Sequence, residues 1–259
     1  MRQIASRENA HFKALKKLCR SGRERRKTGQ VLLDGMHLIE VCVQHSVQLQ
    51  ELLVSESGLL RNEIAAYLAS SDTSNLLTVL TDALFAELAT VETPSGIMAI
   101  IMQPLAVHTL NHEIDAVLLD GIQDPGNLGS ILRSAAASGF RQVLLASDCA
   151  QAWSPKTLRA GMGAHFRLDL HEGCDLQAFL GAYRGQAVVT ALDTPTTLYS
   201  LDLSKPVAWV FGSEGQGVRP EVAESTPFRV RIPMPGESES LNVAAAAAIC
   251  LFETVRQRR

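Results

Sequence analysis

Residues 207–242 constrain this chain more than any other stretch. The apolar run Val207–Phe211 stops at Gly212, the pattern of a buried strand ending in a turn. Glycines at 212, 215 and 217 follow closely, with Glu214 among them. Without a Cβ, such positions let backbone approach a ligand. A second strand pattern, 228–232, ends in Pro-Met-Pro-Gly, and Ser240, Leu241 and Asn242 then open an alanine-rich helix. Two strand ends and a helix start therefore converge on one cavity. Open α/β sheets bind ligands at the carboxyl ends of their strands.

The rest of the chain alternates strand and helix patterns, which predicts an α/β fold. In residues 1–103 a helix capped by Asn9 runs to Arg20 with Phe12, Leu15 and Leu18 inward, and a basic turn follows over 20–29. Strands are expected at 31–33, 50–54, 76–80 and 97–102, and helices at 35–44 (Met36, Ile39 and Val43 inward), 59–68 and 82–88. Residues 104–113 lose all periodicity and read as a linker. The second set, 114–259, offers strands at 116–119, 142–146, 166–170, 187–191, 207–211 and 228–232, with helices between them. That alternation implies a mostly parallel sheet with helices on both faces.

Charge separates the two ends. Residues 1–30 carry ten Lys/Arg and two Glu, a balance of +8 that leaves −11 on the other 229 residues. Such a head suits a phosphate backbone, although charge alone favours a solvated helix plus a flexible arm. Five cysteines form no C-x-x-C pair, which argues against a disulfide framework or zinc finger and for a reducing compartment. His108 and His112 lack a third ligand nearby, so no metal is expected. The longest apolar run, 243–252, is half of the ~20 residues a bilayer requires, so no membrane is expected.

Familiar catalytic motifs are missing. There is no G-x-G-x-x-G after a first strand, no P-loop, no G-x-S-x-G elbow and no H-E-x-x-H. A dehydrogenase-like nucleotide fold is therefore disfavoured. What remains is a glycine-lined pocket with little acid–base equipment beyond Glu214. Positioning dominates in such a pocket, as in group transfer from an activated donor.

Three blocks stand in order: Asn127-Leu-Gly129-Ser-Ile-Leu-Arg133, then Phe211-Gly212-Ser213-Glu214-Gly215, then Ile232-Pro-Met with Ser240-Leu241-Asn242-Val243. Together they resemble the signature motifs of the SpoU (TrmH-like) family of SPOUT RNA methyltransferases, over residues 115–256. Asn9, Lys13, Lys17 and Asp34-Gly35 resemble, more loosely, the ribosomal-protein-like RNA-binding domain that many members carry. Asp34 departs from the Glu usual in the family, and Ala244, after the third block, from the Ser often found there. The resemblance implies a ribose 2′-O-methyltransferase that uses S-adenosylmethionine, a deep trefoil knot in the C-terminal backbone and a homodimer, while the cysteine usage points to a cytoplasmic setting. Its looser part favours ribosomal RNA over transfer RNA as partner. A non-catalytic RNA-binding assembly factor is the reading from another class.

The resemblance also assigns residues. Gly212, Ile232 and Leu241 match donor-holding positions, and Thr190, Ala191, Leu192 and Gly217 complete that pocket. Singly, Ile232 and Leu241 read as core. Arg133 falls by the target ribose, as a base or as a phosphate grip, and the grip suits a group that stays protonated. Six residues separate it from Asn127, so both are expected on one side of the cleft. Glu214 is expected to orient Arg133 or accept a ribose hydrogen bond. Asn127, Ser240 and Asn242 are candidates for the site and equally for helix capping. For RNA, the candidates are Lys13, Lys16, Lys17, Arg20, Arg23, Arg25 and Arg26, with Arg159 a further contact or a solvated side chain.

Overall fold

The computed structural model describes residues 2–71, 73–106, 108–236 and 239–259. The chain divides into two compact units, one of residues 1–104 with 153–166, the other of residues 105–152 with 167–259.

In the first unit, β1 (Arg2–Ile4), α1 (Ala10–Arg20), α2 (Gly22–Thr28), β2 (Gln30–Asp34), α3 (Met36–Gln44), β3 (Leu49–Ser55), α4 (Asn62–Ser70), β4 (Leu77–Leu80), α5 (Asp82–Leu88) and β5 (Ile97–Met102) follow in order. The strands form one sheet, β1-β4-β3-β5-β2. Its first three strands are parallel, and β5 is antiparallel to β3 and β2. Asn9 caps α1, its side chain accepting from the N–H groups of His11 and Phe12. The apolar stripe Phe12, Leu15 and Leu18 packs with Leu84, Phe85 and Leu88 of α5 in one core.

The basic turn expected over 20–29 is instead the helix α2. Ser21 caps it through the Glu24 N–H, and Gly29 ends it at φ 66°, the left-handed stop that glycine adopts without strain. Val43, expected inward, is 47% exposed. Leu38, Val41 and Cys42 are buried as well, which turns the apolar stripe of α3 away from it. Val41 faces Gly163, where a Cβ would stand 2.7 Å from its Cγ1. Gly163 comes from the 153–166 segment, as does α7 (Pro155–Gly161), whose cap is Ser154.

The second unit holds β6 (Ala116–Asp120), α6 (Pro125–Ser138), β7 (Gln142–Leu145), β8 (Asp169–Glu172), α8 (Leu176–Ala182), β9 (Gln186–Thr190), β10 (Val207–Gly212), α9 (Pro220–Glu224), β11 (Phe228–Val230) and α10 (Val243–Gln257). Its six strands make one sheet, β11-β9-β10-β6-β7-β8, parallel throughout. The mostly parallel α/β sheet expected from the sequence is present. One strand is displaced, because residues 164–167 form a 3₁₀ turn and pairing begins only at Asp169. Strand order reverses where β6 meets β10, and the carboxyl ends of these neighbours frame a crevice. Trp209, fully buried on β10, donates its Nε1–H to Thr254 Oγ1 of α10 at 3.1 Å. The helix that carries Asn242 as its cap is thereby tied to the strand that delivers Gly212. No helix among the described residues is long and apolar enough to cross a membrane.

Candidate active site

Two neighbouring cavities open at the carboxyl edge of the six-stranded sheet. The smaller, 170 Å³, is lined by Thr190, Ala191 and Leu192 after β9, Gly212 and Gly217 after β10, Ile232 after β11, and Ser240 and Leu241 before α10. The larger, 420 Å³, is lined by Asp120, Asp124, Asn127, Asp148 and Arg219 among others. Ser213, Glu214, Gly217 and Val243 belong to both linings.

The wall between them is a closed loop. Ser213 and Gly217 exchange both backbone hydrogen bonds, at 3.0 and 2.9 Å, and Gly217 sits at φ +70°. Gly212 begins it. A Cβ there would lie 2.1 Å from the Gly217 carbonyl carbon and 2.2 Å from the Val218 nitrogen. The group that comes close to Gly212 is the chain's own backbone, whereas the sequence suggested a ligand.

Glu214 stands on this loop between two asparagines. Its Oε1 accepts from Asn242 Nδ2 at 2.7 Å and from Asn127 Nδ2 at 2.5 Å, and Asn242 Nδ2 also reaches Asn127 Oδ1 at 3.0 Å. Asn242 is fixed at its other end, since its Oδ1 caps α10 through the N–H groups of Ala244 and Ala245. Asn127 is not a cap. Asp124 caps α6 by accepting the Asn127 N–H, which leaves the Asn127 side chain for Glu214. The arrangement orients a carboxylate whose Oε2 has no partner among the described residues.

Arg133 is not in this cluster. It is exposed and lines neither cavity. A separation of six residues turns 600° around a helix, about 120° away from Asn127. Glu214 therefore orients on asparagine amides and not on Arg133. The sequence reading missed Asp120 and Arg219. Asp120, 2% exposed, accepts the Arg219 backbone N–H at 2.7 Å, its Nε at 2.8 Å and its Nη2 at 2.6 Å. The hydrogen bonds to Asp120 raise the Arg219 pKa further above its already high range. The signal was available: a lone carboxylate closes the apolar run 116–119, and a lone arginine follows the glycine loop. Burial pushes the Cys149 thiol up to about 11, so it stays protonated near neutrality and offers no nucleophile. Among the described residues no group of three His, Cys, Asp or Glu side chains is placed to hold a metal.

In the first unit the basic side chains divide. Lys13 pairs with Glu8 at 2.5 Å and Lys16 with Glu87 at 2.6 Å. Arg20 donates to the Glu87 carbonyl at 3.5 Å. The side chains of Lys17, Arg23 and Arg26 are exposed, without partners among the described residues. Arg25 departs from the expected row of phosphate contacts. It is 7% exposed, and its Nη1 donates to the Leu18 and Cys19 carbonyls at 2.9 and 3.1 Å, satisfying the end of α1. Arg159 lies 3.8 Å from Asp34, whose side chain is fully buried and also accepts from Thr90 and Ser95.

Residues 116–252 match the SpoU rRNA Methylase family, and residues 9–99 match the MRM3-like substrate binding domain. An uncharacterised tRNA/rRNA methyltransferase of Synechocystis is 32% identical over 98% of this chain and 94% of its own. The 23S rRNA (guanosine(2553)-2'-O)-methyltransferase RlmP of Bacillus subtilis is 31% identical over 97% and 98%. The solved SpoU methyltransferase AviRb of Streptomyces viridochromogenes, in complex with AdoMet, superposes with a TM-score of 0.83 at 27% identity, covering 97% of this chain and 98% of that one. The chain belongs to the SpoU rRNA methylase family, as the three blocks around Asn127, Glu214 and Asn242 implied.

Proposed function

We propose that this protein transfers a methyl group from S-adenosylmethionine to a ribose 2′-hydroxyl of ribosomal RNA. One observation carries the reading: a mostly apolar cavity shares a wall with a carboxylate held in place by two asparagine amides. The residues fit the donor. Leu192, Ile232, Leu241 and Val243 give an adenine apolar walls, and the loop and strand ends add main-chain groups. Glu214, in both linings, places a negative charge where the two cavities meet. S-adenosylmethionine supplies a methyl carbon made electrophilic by that positively charged sulfur.

The chain's own residues do the positioning. Asn127 and Asn242 fix the Glu214 carboxylate, and its unengaged Oε2 accepts the hydrogen bond of the acceptor hydroxyl. Accepting that bond raises electron density on the oxygen that must be methylated and aims its lone pair, and Oε2 takes the hydroxyl proton as the oxygen gains the methyl group. Ser240 and the main chain near Gly212 hold the donor. Arg133, standing outside its own chain's cavities, acts on the acceptor phosphate at the site of a second copy, so the working form is a homodimer. Family membership supports that dimer, a knotted C-terminal backbone and work in the cytoplasm. Mixing Arg133→Ala with Glu214→Ala chains tests the sharing. Each hybrid dimer keeps one intact site if Arg133 crosses between subunits, so random pairing returns about a quarter of wild-type activity. An inactive mixture sinks the shared site.

The first unit grips the RNA backbone through Lys17, Arg23 and Arg26, which gives affinity with little sequence reading. Arg26→Ala is expected to lower the salt dependence of RNA binding by about 0.7–0.9 in log–log slope, one phosphate contact's share. Arg25→Ala is expected to leave that slope alone and to cost about 2 kcal/mol in urea unfolding, because it leaves buried carbonyls without their charged donor. The reverse pattern would return Arg25 to the phosphate row.

The function itself is tested by incubating the protein with labelled S-adenosylmethionine and unmodified transcripts of 23S ribosomal RNA and transfer RNA. A 2′-O-methylated nucleoside in the ribosomal RNA digest is expected. Label in transfer RNA alone would move the substrate, and donor binding without transfer would favour the assembly-factor reading.

A further inference from the structure

The larger cavity carries side chains that methyl transfer to a sugar does not use. Asp148 lines it, is exposed, and has no hydrogen bond or ion pair among the described residues. Its Oδ2 lies 3.3 Å from where a Cβ on Gly121 would be, and Gly121, at φ +70°, directly follows the buried Asp120. Asp120 engages Nε and Nη2 of Arg219, leaving the Nη1 of that guanidinium without a partner among the described residues. One wall thus sets a free carboxylate and a pinned cation in the same 420 Å³ space, beside the Asn127–Glu214 cluster. That volume falls in the ~300–1,000 Å³ range of small-ligand sites.

We propose that this cavity receives the base of the acceptor nucleotide and selects guanine, Asp148 reading its Watson–Crick edge beside the Arg219 guanidinium. The assignment rests on the methyltransferase reading above. A nucleotide whose ribose meets Glu214 must place its base on one side or the other, and the smaller cavity is taken by the donor. Phosphates are repelled from a space that Asp124, Asp148 and Glu214 line, so they stay outside and the base goes in. Enzymes that act on an unstacked nucleotide read its exposed Watson–Crick edge by hydrogen bonds.

The edge chemistry singles out one base. A carboxylate is acceptor-only and takes two adjacent donors. Guanine alone presents two adjacent donors, N1–H and the 2-amino group. Adenine and cytosine each offer one amino group next to an acceptor nitrogen that a carboxylate repels. Uracil offers one N–H flanked by two carbonyl oxygens. Guanine O6, beside N1, needs a donor, and the Arg219 Nη1 supplies that class of group. Pinning by Asp120 means that little side-chain freedom is lost when the base arrives.

The test uses the full-length protein, unmodified 23S ribosomal RNA transcript and labelled S-adenosylmethionine, with mass analysis of the nucleosides. Wild type is expected to yield 2′-O-methylguanosine. Asp148→Asn, a change at an exposed position, is expected to lower that yield roughly ten- to a hundred-fold, the worth of one bidentate base contact. Its donor affinity by calorimetry and its melting temperature should stay at wild-type values. Replacing the mapped guanosine by inosine removes the 2-amino group. It should penalise wild type by a comparable factor and add little to the loss in Asp148→Asn. A different methylated nucleoside, or an Asp148→Asn chain that keeps the wild-type ratio of guanosine to inosine, overturns the assignment. A wild type that binds the donor but methylates no nucleoside overturns the methyltransferase reading, and this assignment with it.

Discussion

Glu214→Ala is expected to lower methylation turnover by about 10²–10³-fold, the usual cost of removing one preorganised polar group from a reacting centre. The change does more than delete a charge. Asn127 Nδ2 and Asn242 Nδ2 both donate to Glu214 Oε1, so both amides lose their acceptor. Asn242 stays put because its oxygen still caps α10, and the scaffold survives while the acceptor hydroxyl loses its partner. Glu214→Gln separates the charge from the packing. A glutamine oxygen can still take the asparagine donors, but its NH₂ then faces the hydroxyl where an acceptor is required, so this near-isosteric change is expected to cost almost as much as alanine. Turnover under saturating donor and RNA, with donor affinity measured by calorimetry, gives the answer. Either variant turning over at close to the wild-type rate would remove Glu214 from the chemistry.

Much of this arrangement was legible in the sequence because it depends on period and punctuation. Five of the six strands of the parallel sheet follow from apolar or alternating runs bounded by turn residues, β8 alone starting later than its expected run, and Asn9, Ser154 and Asn242 announce the helices they cap. Thr190, Gly212, Ile232 and Leu241 are far apart in the chain yet line one cavity, since parallel strands bring all their carboxyl ends to one edge. The misreadings have a shared cause: a local pattern cannot show a partner distant in sequence. Arg25 looked like one more surface cation in a basic run, and only the end of α1 folding back over it makes it structural. Asp120 is a lone acid until Arg219, 99 residues later, closes on it. Asn127 and Arg133 were placed on one side by counting turns rather than degrees. The segment 153–166 reads as part of the second alternating set, yet it packs in the first unit, where Gly163 meets Val41 and Arg159 meets Asp34.

Gly212→Ala is expected to weaken donor binding severely and Gly215→Ala to leave it nearly intact, although the two glycines are three residues apart in one loop. At Gly215 a Cβ would meet nothing within 4 Å. At Gly212 the obstacles at 2.1–2.2 Å are all backbone atoms of Gly217 and Val218, and no rotamer change relieves a backbone clash. Relief requires the loop to open. That breaks the paired hydrogen bonds between Ser213 and Gly217 and strains the pairing of Gly212 with Asp120 across β10 and β6. The cost is about 3 kcal/mol or more, or roughly 6–12 °C in melting temperature for a chain of this size. The same opening carries Glu214 away from Asn127 and Asn242 and removes the wall that both cavities share, so donor affinity should fall by roughly a hundredfold or more, about 2.7 kcal/mol. Calorimetry with S-adenosylmethionine on the two variants, at a temperature where both remain folded, makes the comparison. Equal donor affinities would mean that the glycines serve only as flexible spacers and that the closed loop does not shape the donor site.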